Sequence, residues 1–314
     1  MGILAVPHRR SPWAQDPEAL VVFTLDLGRD DPRLFDQLLD WLLTNDVHLS
    51  VRRLRAMCRD AEDERLLDGT LAWLGRHRPR ARLVSRSGGE DRRLPHESLF
   101  RGLTTPIQTP DPSFAAAGLL RPTTEPGGGA ASPDMRLPVN LAFRLRSLLG
   151  VGARAEVIRF LLTVAARPVN VQAVARAAGF AKRNVHEALS SLHAAGVVSQ
   201  WASGNEQRYD IDRAVWATLL DIEQHDLPQE RAWPQLLAGV RAVRRWLHQP
   251  DLDGLSTYRL ASRTRDLLDA VQADLAYSGI PVGASAGLAA WDDLEGLVAR
   301  VLLELAAGDP WPAG

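Results

Sequence analysis

Lys182, Arg183, Asn184, His186, Glu187 and Ser190 stand within nine residues of one another. Their chemistry is recognition rather than bond breaking. Arginine presents a fork of donors that matches guanine, asparagine pairs with adenine, a carboxylate accepts from cytosine, and lysine offers a point charge to phosphate. The intervening Val185, Ala188, Leu189 and Leu192 repeat at the spacing of one helical face. A helix that buries them turns Arg183, Asn184, Glu187 and Ser190 outward, where they can reach base edges, with His186 beside them. Lys182 at the start of that helix, Arg154 at the start of another, and Arg208 on a strand are expected to meet phosphates, adding affinity with little sequence preference.

The remaining chemistry-bearing residues form no complete set. His186 and His193 lie seven apart on one helix, but no third ligand of suitable spacing accompanies them, and the single cysteine, Cys58, is far away in sequence. No metal and no cofactor is expected. Gly283-Ala284-Ser285-Ala286-Gly287 matches the pattern of a nucleophile elbow, but the preceding Ile280-Pro281-Val282 is too short and proline-bearing for the strand an elbow requires. It reads as a small-residue loop. Asp292 and Asp293 read as complements to a helix start. Cys58 reads as a packing residue. Neither a phosphate-cradling loop nor a dinucleotide glycine pattern is present, and no catalytic centre is expected.

The elements that would position the polar face can be read on both sides of it. Asn170 caps a short helix with Val171, Val174 and Ala175 inward, and Gly179 supplies the left-handed residue at which the chain turns into the next helix. Upstream, residues 153–166 place Val157, Ile158, Leu161 and Leu162 on one face until Pro168 stops the helix. Downstream, residues 197–202 alternate as a strand, Ser203-Gly204-Asn205 turns, and residues 206–211 return with Tyr209 and Ile211 on one face and Arg208 and Asp210 on the other. The same alternation groups Trp201 with Ser199 and Val197, and Trp201 is expected to pack beneath the hairpin.

This order of helix, helix, recognition helix and hairpin, about a quarter of the chain, resembles the winged helix-turn-helix regulators of the ArsR and MarR type. The likeness to the first is carried by Gly-Ala-Arg-Ala-Glu-Val-Ile-Arg-Phe-Leu-Leu from Gly152 and Leu-His-Ala-Ala-Gly-Val-Val from Leu192. The resemblance implies double-stranded DNA as partner and transcriptional regulation as function. The chain departs from that family in carrying more than a hundred residues before the motif and about a hundred after it. It also lacks the cysteine and histidine ligands of the metal-sensing members.

Composition is that of an ordinary soluble protein: 46% hydrophobic, 24% charged, net charge −1 over 314 residues. The near-neutral whole hides a basic centre, because residues 139–215 hold ten Lys or Arg against five Asp or Glu. No apolar stretch approaches a membrane span, no secretion signal opens the chain, and one cysteine permits no internal disulfide; a cytoplasmic protein is expected.

The expected fold is mainly α, with a central winged helix-turn-helix domain and its β-hairpin wing flanked by helical N-terminal and C-terminal domains. Residues 1–16 read as a disordered tail and 17–83 as a mostly helical domain. That domain opens with a strand over 20–27 and continues with a helix from Pro32 burying Leu34, Leu38, Leu39, Leu42 and Leu43, one from Ser50 burying Val51, Leu54 and Met57, and one over 62–76. Residues 84–138 read as a Pro/Gly-rich linker, polar at 85–89 and flexible at 125–133. Inside it lies an apolar strap with Leu99, Phe100, Leu103, Ile107, Phe114, Leu119 and Leu120. The DNA-binding domain spans 139–223, beginning with a helix at 140–149, and a helical domain spans 224–314 with helices at 233–247, 258–277 and 291–305. The helix at 214–223 and the one at 258–277 are expected to form a homodimer interface. The alternative function is a non-catalytic interaction protein, antitoxin-like, whose winged helix docks a protein and whose outer helices do the main work.

Overall fold

Helix starts are written into the sequence as oxygen-bearing side chains that take up the free N–H groups of a first turn. Asp16 caps α1 (Pro17–Leu27), Asp31 caps α2 (Pro32–Asn45), Ser50 caps α3 (Val51–Met57) and Asp60 caps α4 (Ala61–His77). Strand β1 (Glu97–Ser98) follows, then α5 (Pro112–Ala116) capped by Asp111, and β2 (Leu119–Leu120), which pairs in parallel with β1. The centre of the chain comprises α6 (Leu141–Leu149), α7 (Ala153–Thr163), α8 (Val171–Ala178), α9 (Lys182–Ala194), the antiparallel pair β3 (Ser199–Ser203) and β4 (Glu206–Asp210), and α10 (Arg213–Leu219). Three helices end it: α11 (Trp233–Leu247), α12 (Thr257–Tyr277) and α13 (Ala289–Ala307). The computed structural model describes residues 12–83, 95–103, 105–285 and 287–307. Among them the chain is mainly helical, 58% helix in 13 helices, and no helix is long and apolar enough to cross a membrane.

Buried apolar side chains gather into three cores. The first, under α1 to α5, holds Phe35, Trp41, Trp73 and Phe114, with Leu34 and Leu43 only partly covered at its edge. The second joins α6 to α10, and the third joins α11 to α13 through Leu236, Trp246, Leu268, Leu275 and Leu297. In this last core Gly239 is required, because a Cβ there would stand 2.7 Å from Leu275 Cδ2 and push α11 off α12.

Three expectations for the N-terminal half are corrected. Residues 20–27 are helical in α1, not a strand. The run lies buried on almost every side, so it shows no amphipathic period, and the helix start is set by Asp16 and by Pro17 at the first turn. Residues 12–16 are built into the fold. Ala14 N donates to Gln229 O at 2.8 Å and Ala14 is fully buried.

In the stretch read as a linker, the apolar strap lies against the folded N-terminal helices as expected, and the pieces around it are fastened as well. Leu99, Phe100, Phe114 and Leu119 belong to the first core, though Leu103 stays exposed. Arg121 is buried with its guanidinium carbon 5.5, 5.5 and 5.4 Å from the rings of Phe35, Phe100 and Phe114. Even the glycine-rich piece is fastened along α2: Gly127 N donates to Asp40 Oδ1 at 2.8 Å and Asn45 Nδ2 to Ala131 O at 3.2 Å. The expectations for residues 1–11 and 85–89 lie outside the described residues.

Charged groups join the cores. Arg241, Arg244 and Arg245 of α11 reach Asp63 and Asp26 of α4 and α1 at 2.5 to 2.7 Å. Burial pushes the Asp26 carboxyl up, but Arg245, Arg101 and Arg244 outweigh it and hold it below its ordinary value.

Candidate nucleic-acid interface

α8 and α9 meet at a left-handed residue. Gly179 has φ 67° and ψ 27°, and its N–H donates to Ala175 O, which ends α8 and lets α9 start three residues later. Val174 packs against the fully buried Val185 and Leu189 of α9, and α7 closes the same core with Val157, Ile158 and Leu161. Burying this stripe leaves the opposite face of α9 in solvent. Lys182, Arg183, His186, Glu187 and Ser190 are exposed there, while Asn184 is half-buried at the edge. The side chains of Arg183 and Glu187 are 88% and 62% exposed and pair with each other at 2.9 Å one turn apart. So exposed a pair is held by well under 1 kcal/mol, and a stronger partner can displace it.

Two basic residues flank this face. Arg154 in the first turn of α7 donates from Nη2 to Ser191 Oγ at 3.2 Å, which brings its cation to the margin of α9. Arg208 sits on β4 with Nη2 3.0 Å from Glu206 Oε2, and that carboxylate also accepts from Asn170 Nδ2 at 3.2 Å. The residue that caps α8 thus ties the hairpin to the helix pair. A further tie runs through Val169, whose N–H and carbonyl both bond Tyr209, at 3.1 and 2.8 Å.

Trp201 is corrected. It does not pack beneath the hairpin but stands 41% exposed. The register pairs Trp201 with Arg208 and Gln200 with Tyr209, and cross-strand partners share a face. Since Tyr209 is the side chain turned into the core, Trp201 must point outward with Arg208.

The structure also brings in residues that no local pattern singled out. Arg53 of α3 is buried and donates from Nε to Ala178 O at 2.8 Å, at the end of α8 just before the turn into α9, while Nη2 meets Asp16 at 2.5 Å and Nη1 meets Glu18. Glu18 also receives Arg146 of α6, at 2.7 Å, and Arg146 and Arg159 both reach Glu156 of α7, at 2.6 and 3.0 Å. Arg159 continues to Glu230 ahead of α11. Burial pushes the Glu156 carboxyl up, yet Arg146, Arg53 and Arg159 outweigh it and hold it far below the ordinary carboxylate range. This cluster fixes the turn before α9 to the N-terminal core. A signal for it exists only in three dimensions, because its acids and arginines come from five separate segments.

His193 turns its Nδ1 to Val198 O at 2.9 Å, joining the end of α9 to the approach to β3. Among the described residues no three His, Cys, Asp or Glu side chains gather as metal ligands. Asp293 at the start of α13 accepts from Ser285 N at 2.7 Å, holding the small-residue loop against the helix. Burial pushes the Cys58 thiol up to about 12. Comparison of the chain with protein-family models, with curated proteins and with solved structures found no match.

Proposed function

We propose that the protein is a DNA-binding transcriptional regulator whose central segment is a winged helix-turn-helix of the ArsR/MarR kind. The observation that carries this reading is the polar face of α9, exposed and flanked by Arg154 on one side and by Arg208 on the adjoining hairpin. In the major groove such a face offers Arg183, Asn184, Glu187 and Ser190 to base edges, with His186 beside them, and leaves Lys182, Arg154 and Arg208 for phosphates. Paired half-sites would call for two copies, and Val215 and Leu219, exposed on α10, supply apolar surface for the contact. Selection of duplexes from a random library by the full-length protein tests the reading: recovery of one enriched motif supports it, and recovery of no motif opposes it.

A second reading, an interaction protein whose hairpin and outer helices dock another protein, is favoured by exposed Trp201, since tryptophan is enriched at protein interfaces. The two separate in the same experiment, because a docking module enriches no sequence.

A further inference from the structure

Away from α9 a cavity of about 380 Å³ opens where α7 and α8 face the start of α11 and the end of α12. Phe160, Val164, Ala177 and Pro234 give it apolar walls, and Trp13 and Tyr277 give it aromatic ones. Its polar lining holds unpaired groups of both kinds, for Arg231 Nε is buried there without an acceptor among the described residues. Gln235 is only 9% exposed and its buried Oε1 accepts no hydrogen bond from the described residues. Glu230 uses Oε2 for Arg159 and Thr163, and no hydrogen bond from the described residues reaches its Oε1.

Charge is unbalanced at the same place. The buried cluster holds four carboxylates, Asp16, Glu18, Glu156 and Glu230, against three guanidiniums, Arg53, Arg146 and Arg159. Glu230 is the member that lines the cavity. Its neighbours do not supply the missing cation. Arg231 is committed to Glu304 and lies between the rings of Trp13 and Trp233, and Arg176 is an exposed residue stacked on the Tyr277 ring.

We infer that this cavity is a binding site for a small organic cation, an amidinium or primary ammonium on a flat apolar body. Its N–H groups would meet Glu230 Oε1 and Gln235 Oε1, its charge would complete the cluster, and its body would lie against Trp13 and Tyr277. Burial pushes the Glu230 carboxyl up, against the pull of Arg159 and with Asp16 adding to the rise, so a cation that needs the carboxylate binds better as pH rises through that range. Ala177 on the cavity wall adjoins Ala178, whose carbonyl Arg53 holds at the end of α8, ahead of the turn into α9. Occupancy is thereby coupled to the placement of α9. That last link rests on the DNA-reading role, whereas the binding itself does not.

Benzamidine, with neutral benzamide and anionic benzoate as near-isosteres, probes the site by calorimetry on the full chain in the absence of DNA. Benzamidine should bind at least about tenfold more tightly than either analogue, and Glu230→Gln should erase that preference. Ala166→Trp, at an exposed position lining the cavity, should weaken benzamidine binding about tenfold without disturbing a core. Circular dichroism verifies the fold of both variants. The inference is overturned if benzamidine does not bind the wild type, if the three probes bind alike, or if both folded variants keep full affinity. Because no DNA is present, such a failure leaves the DNA-reading proposal to its own experiment.

Discussion

Replacing Arg53 with methionine perturbs the point where the N-terminal core holds the turn before α9. The arginine side chain is about 1% exposed and serves Asp16, Glu18 and the Ala178 carbonyl together. Methionine keeps most of the volume but leaves two buried carboxylates short of a cation, and breaking a buried pair from one side costs about 3–5 kcal/mol. The orphaned carbonyl adds about 1–3 kcal/mol where no water replaces the donor. Set against a typical total stability of about 5–15 kcal/mol, the substitution should remove a large part of what keeps the fold together. Urea unfolding followed by far-ultraviolet circular dichroism measures the loss, with Arg33→Met on the exposed side of α2 as a control expected within about 0.5 kcal/mol of wild type. Adding Glu18→Gln to Arg53→Met should recover part of the loss, since it removes one uncompensated charge. A cost below about 1 kcal/mol for Arg53→Met would refute the reasoning, because it would mean that the cluster loses a buried cation and the hydrogen bonds it makes at almost no cost.

Acid should destabilise the fold through Glu156 and Asp26. Their folded values are held below the ordinary 4.5 and 3.8, so their contribution is present above pH 4.5 and is lost as pH falls below it. Glu230, whose value is raised, works with opposite sign and in a higher window, adding stability as pH falls toward 4.5 and nothing further below it; a melting midpoint that stays flat below pH 4.5 would contradict the cluster's role. Tyr209→Phe should leave stability unchanged or raise it by up to about 1 kcal/mol in the same urea assay, since the buried Tyr209 hydroxyl has no hydrogen-bond partner among the described residues. Light scattering of the full chain should report a dimer, and Leu219→Glu should shift it toward monomer; a wild type that is monomeric at micromolar concentration contradicts the pairing of two copies.

Local rules carried much of the fold. Caps at Asp31, Ser50, Asp60, Asn170 and Ser256, and the stop at Gly179, depend on neighbours a few residues away, so the sequence displays them directly. α1 was hidden for the opposite reason: covered on almost all sides, it shows no periodicity to distinguish a helix from a buried strand. The strap beyond residue 95 has the composition of a loop because it has almost no regular structure, yet Phe100, Phe114 and Arg121 are held by contacts distant in sequence. At the candidate interface the outward residues of α9 follow from its apolar stripe alone. Trp201 does not follow from alternation until the register against Arg208 is known, and Arg53, an arginine on a short helix, carries no local sign that its partners lie in α1 and at the end of α8.

The most direct test of the DNA-reading role is fluorescence anisotropy of the full-length protein on its selected duplex and on a scrambled duplex, over a range of salt, with Arg183→Ala and Arg208→Ala. Arg183→Ala should cost about 1–3 kcal/mol on the selected duplex and little on the scrambled one. Arg208→Ala should weaken both alike and lower the slope of log affinity against log salt by about one. If both folded variants bind both duplexes as the wild type does, α9 and the hairpin do not read DNA.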